Sequence, residues 1–403
     1  MPELKRVLGL TECIFFGVGS ILGAGIYTLI GKVAGQSGNL IWLSFFLASI
    51  TALFTAFSYA ELSSAFPKAG GEYEYAKNAF GKKMGFFLGL IISTNGTISG
   101  ATVALGFAGY LSGLIGINLI IGALGIIIII FFVNAYGIRE SSIVNIILTL
   151  IEAGGLFFVI YCSLPYIGTV NYFELPPSGI NGVLTASALA FFAYIGFEDI
   201  VKLAEETKNP EKTIPRALFG ASAIVILIYT LVAICVVSVI PYTQLGQSVN
   251  PLADVVKTTY GKIGIVAISI IALFSTSNTI LSNMLSSSRV LFNMAKESVI
   301  LKPFAYISTK GKVPVKALLI ILIFMISFAA IGKIETVARI ANIFIFLTFF
   351  IVNLSVIVLR LRNKKLQRPF KIPGNIKNIP IISVLGIIMT LFLFIFNFYS
   401  LLL

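Results

Sequence analysis

The sequence predicts an all-α integral membrane protein with about eleven membrane-spanning helices. Of its 403 residues 58% are hydrophobic and 11% are charged, and the mean hydropathy is +1.00. Soluble domains carry about 25% charged residues. Apolar runs of roughly 20 residues, long enough to cross about 30 Å of hydrocarbon as a helix, recur along the whole chain. Two of these runs are interrupted near their middle, at residues 17–26 and 191–198.

The predicted spans follow one another closely and form a single transmembrane domain, residues 1–403. The first five-helix unit, 11–164, comprises spans 11–30, 39–64, 84–112, 118–136 and 142–164. The second unit, 182–360, comprises spans 182–203, 215–240, 262–290, 315–332 and 337–360, and a peripheral helix follows at 380–402. The first run is too long for a cleavable signal peptide and lacks a small-residue cleavage site. The connection 65–83 is expected to be either a short interfacial helix or an ordinary loop.

The basic residues alternate between the two sides of the membrane. The chain has 29 Lys and Arg against 16 Asp and Glu, a net charge of +13. All but five of the basic residues fall on the side of the N-terminus, and the five are Lys32, Lys257, Lys262, Lys333 and Arg339. The positive-inside rule then predicts a multi-pass protein of the cell membrane, with a cytoplasmic N-terminus and an extracellular C-terminus. The basic excess therefore reflects topology, and we expect no nucleic-acid partner.

Composition also narrows the chemistry. The absence of histidine excludes HExxH proteases, most zinc sites and histidine proton relays. Cys13, Cys162 and Cys235 lie in or beside apolar segments without motif spacing, which is typical of small buried hydrophobic residues. We find no cluster of nucleophile, base or metal ligands. The sequence therefore indicates neither an enzyme nor a metal or cofactor site.

The first interruption, residues 17–26, holds four glycines within a membrane span. Glycine inside a helix costs about 0.5–1 kcal/mol relative to alanine, and unpaired backbone groups in hydrocarbon cost several kcal/mol more. Unwinding at Gly23, Ala24 and Gly25 would expose N–H groups and the positive dipole end of the outer half-helix, which suit a carboxylate. Carbonyls of residues 19–21 would suit an ammonium group. The alternative is a glycine face for close helix packing.

The second interruption, residues 191–198, lies at the corresponding depth of span six. Five spans separate the two starts, so the second unit enters the membrane from the opposite face. Broken helices at matching positions of inverted halves indicate the central site of a transporter. Here the carbonyls of residues 191–193 can accept from an ammonium group, and the single glycine gives room to bend. Phe191, Phe192 and Tyr194 form an aromatic lid in this interpretation, or pack as ordinary core.

Ionisable residues deep in a span are candidates for function. Glu152 lies about ten residues into span five, roughly 15 Å deep, and is either a proton carrier or a protonated structural residue. Glu198 is expected to be a structural cap beside the second break. Arg289 is a candidate for an inner-gate ion pair with Glu12 or Glu61, or a plain helix-end cation. No isolated acidic residue clearly lines the expected pocket.

Polar side chains in spans three and eight are candidate wall residues. Ser275 and Ser277 lie near the middle of span eight and either bond helix to helix or coordinate Na⁺ together with backbone carbonyls. Asn95 and Thr97 of span three are candidates for the pocket wall. Their spacing does not decide between these roles.

Four stretches resemble motifs of the amino acid–polyamine–organocation (APC) superfamily of amino acid permeases. They occur in the family's order along the chain, at residues 19–26 (GSILGAGI), 191–198 (FFAYIGFE), 205–217 (EETKNP…IPRA) and 288–295 (SRVLFNMA). The resemblance implies a LeuT-like 5+5 inverted-repeat fold, with helices 1 and 6 unwound at mid-membrane. It also implies transport of an amino acid by alternating access.

The resemblance also implies a set of binding residues. The carboxylate would bind N–H groups of Gly23, Ala24, Gly25 and Ile26, and the ammonium would bind carbonyls near Gly19 and Ile21 and around Phe191, Phe192 and Ala193. Ile195 and Gly196 complete the set, and Phe192, with Tyr194, would gate it. Proton-coupled relatives of similar pattern carry lysine where this chain has Glu152. The family also usually has twelve spans, whereas this sequence stops after the eleventh.

Together these features predict a secondary transporter of a small or neutral amino acid in the lipid bilayer. Proton symport through Glu152 is the leading hypothesis for coupling, with Na⁺ as another possible ion. The alternatives are an ion-independent amino acid exchanger, a cationic amino acid transporter and, outside transporters, a channel. The sequence leaves the oligomeric state open.

Overall fold

A computed structural model of the chain describes residues 6–68, 70–136, 142–297, 302–306 and 313–402. Its first seven α-helices are α1 (Leu10–Leu22), α2 (Ala24–Ser37), α3 (Ile41–Ala65), α4 (Gly71–Phe80), α5 (Lys82–Ile115), α6 (Leu119–Ala135) and α7 (Ser142–Ser163). The next seven are α8 (Gly179–Ala190), α9 (Pro210–Val239), α10 (Tyr242–Gln247), α11 (Pro251–Glu297), α12 (Val315–Ala329), α13 (Ile334–Arg362) and α14 (Ile381–Leu402). Short 3₁₀ segments cover Gly38–Leu40, Leu164–Tyr166, Phe191–Tyr194, Phe197–Leu203 and Lys302–Phe304. Two short strands, β1 (Asn375–Ile376) and β2 (Ile379–Pro380), pair antiparallel.

The helices confirm the predicted all-α membrane fold. Within the described residues, eight helical stretches are long and apolar enough to cross a membrane, and three shorter apolar helices accompany them. The count of about eleven spans stays a prediction, as does the division into units 11–164, 182–360 and 380–402. One long helix, α11, contains a left-handed glycine, Gly261 (φ 54°), so that a short helical arm precedes the span proper.

The first broken helix is interrupted by a single residue. α1 ends at Leu22 and α2 begins at Ala24, and between them Gly23 has φ −33° and ψ −165°. The N–H of Gly23 still donates to the Gly19 carbonyl at 3.2 Å, so α1 keeps its hydrogen bonds up to the break. The break is therefore shorter than the expected unwinding over Gly23, Ala24 and Gly25.

The second broken helix is interrupted over a longer stretch. α8 gives way to the 3₁₀ turn Phe191–Tyr194, Ile195 is extended, and a second 3₁₀ segment starts at Phe197. Between them Gly196 has φ 122°, and a β-carbon there would collide with the Ser20 carbonyl oxygen. Only glycine meets both demands, because other residues rarely adopt this φ and all carry a β-carbon.

The remaining helices hold these two broken helices in place. α1 packs against α7 and α9, and α2 packs against α8 and α10. Among the described helices, α5 and α11 pack most extensively on each other, and both line a cavity with the two breaks. The breaks thus face a wall built from α5 and α11.

The connection at 65–83 contains helix α4, so a short helix is present instead of a plain loop, and its position at the membrane interface stays a prediction. α4 packs on α5 and α13 at the face that carries the N-terminus. The connection 137–141 lies outside the described residues, and so do residues 298–301 and 307–312 of the connection 291–314.

A buried charge cluster fastens α3 to α13 at the same face. The Glu61 carboxylate pairs with Arg360 and, at 3.3 Å, with Arg368, and it accepts the Ile372 N–H at 2.9 Å. Glu61 therefore does not form the predicted inner-gate pair with Arg289. The Glu12 carboxylate accepts the N–H of Gly9 at 2.9 Å and caps α1.

Candidate functional site

A cavity of about 120 Å³ lies between the two helix breaks and the α5–α11 wall. A water molecule needs roughly 10–15 Å³ of such volume, so several waters or a small polar ligand fit. The cavity is lined by Phe16, Gly19, Ser20, Ile21, Gly23, Gly25, Ser99, Val103, Phe192, Ala193, Ile195, Gly196, Asp199, Asn278, Thr279, Ser282 and Asn283.

Most of the predicted binding residues meet at this cavity. From the first break it is lined by Gly19, Ile21, Gly23 and Gly25, and from the second by Phe192, Ala193, Ile195 and Gly196. Two predicted residues lie elsewhere. Ile26 is fully buried in the core, and the ring of Phe191 packs on Phe346 with centroids 4.7 Å apart. The backbone of Ala24 starts α2, between two lining glycines.

The two breaks touch each other through their backbones. A β-carbon at Gly25 would lie 2.5 Å from Ala193 Cα, so α2 can approach the second break this closely only with glycine. The first-turn N–H groups of α2 have no acceptor within the helix, and Gly23 and Gly25 place this helix end at the cavity. A helix N-terminus at a cavity suits an anion, and carboxylate binding here stays a prediction.

One tyrosine that sequence reasoning missed joins the two breaks. The hydroxyl of Tyr229, on α9, lies 2.6 Å from the Ile21 carbonyl oxygen and 3.1 Å from the Ala193 carbonyl oxygen. The hydroxyl has one proton to donate, while each carbonyl oxygen has two lone pairs. Both carbonyls therefore keep acceptor capacity for an ammonium group. The only signal in the sequence was a tyrosine in an apolar span, whose hydroxyl must find a partner.

Of the three aromatic residues expected to form a lid, Phe192 lines the cavity, whereas Phe191 and Tyr194 pack in the core. Tyr194 packs edge-on against Tyr229 and Phe45, with ring centroids 5.2 Å and 6.4 Å away. The Phe191 ring packs into the core, as described above. Of the three rings, Phe192 lines the cavity, and its role as a gate stays a prediction.

Glu152 lies beside the first break but does not line the cavity. It is 3% exposed, and its backbone carbonyl accepts the Tyr27 hydroxyl at 2.7 Å. One turn earlier, Thr149 packs on α1 so tightly that a β-carbon at Gly19 would collide with the Thr149 hydroxyl oxygen. Glu152 thus lies on a helix that packs against both α1 and α11.

The two serines proposed for ion coupling also lie off the cavity. Ser277 Oγ donates to the Leu273 carbonyl at 2.7 Å, within its own helix. Ser275 is 1% exposed, and its hydroxyl finds no hydrogen-bond partner within the described part of the chain. Coupling roles for Glu152, Ser275 and Ser277 stay predictions.

Glu198 and Asp199, the two acidic residues at the second break, make different contacts. Glu198 Oε2 accepts the Gly196 N–H at 2.9 Å, the capping contact expected of it. Its neighbour Asp199, which the sequence did not place at the pocket, lines the cavity. The Asp199 carboxylate lies 2.5 Å from Lys202 Nζ, so its charge is matched within the protein.

Polar residues of α5 and α11 complete the wall. From α5, the polar residue Ser99 lines the cavity. Asn95 and Thr97, the candidate wall residues from the sequence, are not among the lining residues. The Thr97 hydroxyl donates to the Ser93 carbonyl at 2.8 Å instead. α11 contributes Asn278, Thr279, Ser282 and Asn283. Asn278 and Thr279 belong to the polar stretch 275–279 that the sequence singles out in span eight, whereas Ser282 and Asn283 were not identified, because several other serines and asparagines lie in the same helix.

The cavity extends from the breaks toward the N-terminal face, since Phe16, Asp199 and Ser282 line it on that side. On the other side of the breaks, a polar network joins the end of α2 to the start of α13. Arg339, 1% exposed, donates to Gln36 Oε1 at 2.8 Å and to Glu335 Oε1 at 3.2 Å, and Gln36 Nε2 donates to Glu335 at 2.5 Å.

Comparison with known proteins identifies relatives over nearly the whole chain. The sequence model of the family described as "Amino acid permease" matches residues 8–401. The chain is 29% identical to the branched-chain amino acid permease BcaP of Bacillus subtilis, over 97% of this chain and 88% of that protein. It is 27% identical to the methylthioribose transporter of the same organism, over 94% and 87%. It is 29% identical to the vacuolar cationic amino acid transporter 4 of Arabidopsis thaliana, over 89% of this chain and 64% of that protein.

Proposed function

Because the chain belongs to the amino acid permease family of the APC superfamily, we propose that it is a secondary active transporter of a small or neutral amino acid. It works in the cell membrane, with its N-terminus in the cytoplasm. The observation that carries the proposal is a cavity lined by both helix breaks, where the N-terminus of α2 meets Ile21 and Ala193, whose carbonyls face Tyr229. These are the two complements of a zwitterion's carboxylate and ammonium groups.

The geometry supports a binding mode in which the backbone does most of the recognition. The substrate carboxylate lies at the N-terminus of α2, against N–H groups near Gly23 and Gly25. The ammonium group lies between the Ile21 and Ala193 carbonyls, which Tyr229 holds at a fixed separation. Phe192 covers the ligand. Alternating access then moves the broken helices against the α5–α11 wall.

A neutral substrate is favoured over a cationic one by the state of Asp199. This carboxylate lines the cavity, but Lys202 already neutralises it at 2.5 Å. A cationic side chain would have to displace that lysine. The branched-chain and cationic relatives are named for both substrate classes, so the chemistry of this cavity has to decide between them.

A thermal-stability screen of the detergent-purified protein tests the proposal. A ligand that binds only the folded state stabilises it, by about 2.7 kcal/mol when the ligand concentration is 100 times Kd, and so raises Tm. We expect one or more neutral amino acids at millimolar concentration to raise Tm, and arginine and lysine to do so less. Methylthioribose serves as the competing ligand. If it stabilises the protein and none of the twenty amino acids does, the proposal is wrong.

We further propose that transport is coupled to protons through Glu152. Two observations support this proposal: Glu152 is 3% exposed, and its helix α7 packs against α1, which carries the first break. In proteoliposomes with a pH gradient, the wild type should concentrate labelled substrate, and Glu152→Gln should only equilibrate it. Accumulation by Glu152→Gln against the gradient would contradict proton coupling. Uptake that requires internal amino acid and ignores pH and Na⁺ would instead identify an exchanger.

A further inference from the structure

The connection that follows α13 is strongly basic. Residues 360–377 contain seven Lys and Arg residues and no Asp or Glu: Arg360, Arg362, Lys364, Lys365, Arg368, Lys371 and Lys377. Another connection at the same face, residues 205–216, contains three residues of each sign: Glu205, Glu206, Lys208, Glu211, Lys212 and Arg216. The positive-inside rule counts Lys and Arg and gives little weight to Asp and Glu. It therefore explains why a connection at this face is basic, but not why one of them lacks acidic residues altogether.

Two of the seven cations are neutralised inside the protein. Arg360 and Arg368 both pair with the buried Glu61 carboxylate, which fixes the connection against the end of α3. Four lysines of the connection are exposed and take part in no ion pair among the described residues: Lys364, Lys365, Lys371 and Lys377. Their counter-charges come from the surroundings of the protein.

The start of this connection lies beside the start of α5. Arg362 Nη1 donates to the Ala79 carbonyl, in the last turn of α4, at 3.3 Å. Ala79 is three residues before Lys82, and three residues span at most about 11 Å. Two exposed lysines begin α5, and two more follow Arg362 in a tight turn. We call the five exposed cations at this junction the basic patch: Lys82, Lys83, Arg362, Lys364 and Lys365.

Exposed apolar side chains lie next to the basic patch. Phe87 follows one turn after the lysines of α5, and Leu361 directly precedes the arginine, and both are exposed. Deeper in the membrane, Leu88 and Ile91 of α5 pack with Ile351 of α13 in one apolar cluster, so the two helices run side by side from the patch. A free phosphate ion makes no use of apolar surface. A phospholipid carries its phosphate and its acyl chains in one molecule, and it fits both features.

We infer that the basic patch binds the headgroup of an anionic phospholipid whose acyl chains lie along α5 and α13. Ammonium and guanidinium groups form charge-assisted hydrogen bonds with phosphate oxygens. Clusters of about four to eight Lys and Arg residues beside a membrane helix are typical of anionic-lipid binding, and each such cation strengthens binding about fivefold. Phosphatidylcholine has the same phosphate but a compensating cation, so the patch favours a headgroup with net negative charge.

Native mass spectrometry of the detergent-purified, full-length protein tests the inference. The protein is mixed with equal amounts of phosphatidylglycerol and phosphatidylcholine that carry the same acyl chains, and the bound lipids are counted. We expect the wild type to retain phosphatidylglycerol about tenfold or more over phosphatidylcholine. Lys364→Gln/Lys365→Gln should lower this ratio about fivefold or more. Both lysines are exposed, so this variant should fold as the wild type does.

Lys208→Gln/Lys212→Gln is the matched control. It removes two exposed lysines at the same face, from the connection in which glutamates balance them. Its lipid ratio should equal that of the wild type. Equal retention of the two lipids by the wild type overturns the inference without reference to any variant, and so does an equal fall of the ratio in both variants. If millimolar inorganic phosphate displaces phosphatidylglycerol, the patch is a site for free phosphate and the inference is wrong. None of these outcomes depends on the transport assay.

Discussion

At the scale of single residues, Tyr229 connects the two broken helices. Its hydroxyl is within bonding distance of a carbonyl from each broken helix, although the three residues are far apart in sequence. A buried hydrogen bond contributes about 1 kcal/mol net. Removing this one also frees the two breaks to shift relative to each other, which is a larger effect for a ligand that contacts both.

We therefore expect Tyr229→Phe to weaken substrate binding about tenfold or more, with only a modest drop in Tm. Isothermal titration with the amino acid found by the stability screen measures the change. Tyr110→Phe is the control, since its fully buried hydroxyl donates to the Tyr27 carbonyl at 2.8 Å, away from the breaks. Equal losses of affinity in both variants would show that Tyr229 acts only through general stability.

At the residue scale, the sequence located the glycines at the breaks but not the hydroxyls near them. Gly23, Gly25 and Gly196 could be identified because glycine is costly in a membrane helix and so has to have a reason. Tyr229 and Ser99 could not, because one hydroxyl in an apolar run has no periodic pattern. Whether it faces a partner, a neighbour or a cavity is decided by helix rotation, which sequence alone does not supply.

At the scale of elements, α4 is connected to the second break through Tyr59 of α3. Glu72, in its first turn, is 3% exposed, and Glu72 Oε1 accepts the Tyr59 hydroxyl of α3 at 3.0 Å. Burial raises the pKa of the Glu72 carboxyl, and the nearby Lys202 opposes this rise without cancelling it. Tyr59 in turn packs edge-on against Phe197, at the start of the second 3₁₀ segment.

The raised pKa of Glu72 predicts the direction of a pH dependence. The folded state binds the Glu72 proton more tightly than the unfolded state, so this residue's contribution to stability falls as pH rises from the usual carboxyl value of 4.5 through the raised one. Glu72→Gln removes this loss and should flatten the Tm profile in that window. Glu74→Gln is the control for the loss of one carboxylate from the same helix, where the more exposed Glu74 pairs with Lys77 at 3.4 Å. A profile that keeps its slope in Glu72→Gln contradicts the assignment.

The sequence predicted the membrane-spanning part of each helix but not the residues at which the helix begins and ends. The apolar run 84–112 became helix Lys82–Ile115, and the run 215–240 became helix Pro210–Val239. Helices continue past the lipid boundary because polar residues such as lysine are good helix formers, and hydropathy does not register that continuation. For the same reason the sequence could not decide between helix α4 and a loop, since this segment has no apolar run.

At the scale of the whole molecule, the cavity and a polar network lie toward opposite faces. The network joins α2 to α13 through Gln36, Glu335 and Arg339, while the cavity extends from the breaks toward the N-terminal face. In the proposed alternating-access cycle, this network would have to open when the other face closes. Its few polar bonds would then bias the equilibrium between the two conformations.

We expect Gln36→Ala to shift this equilibrium toward opening at the far face. A cysteine at Val103, which lines the cavity, should then react severalfold faster with a membrane-impermeant thiol reagent added on that face. The native Cys13, Cys162 and Cys235 are all buried and should give little background. Ser37→Ala is the control, since the neighbouring hydroxyl donates to Val33 within α2 at 2.8 Å. An unchanged labelling rate in Gln36→Ala means that the network does not hold this face closed.

The single-residue break at Gly23 has a mechanical consequence. Two straight rods joined through one residue form a joint with essentially two torsional degrees of freedom, because the peptide planes on either side are rigid. α1 has 13 residues, which makes it about 20 Å long. A rotation of about 10° in one of these torsions therefore swings its far end by about 3 Å, with no helix hydrogen bond broken. The joint lets a small change at the ligand become a large displacement at the membrane surface.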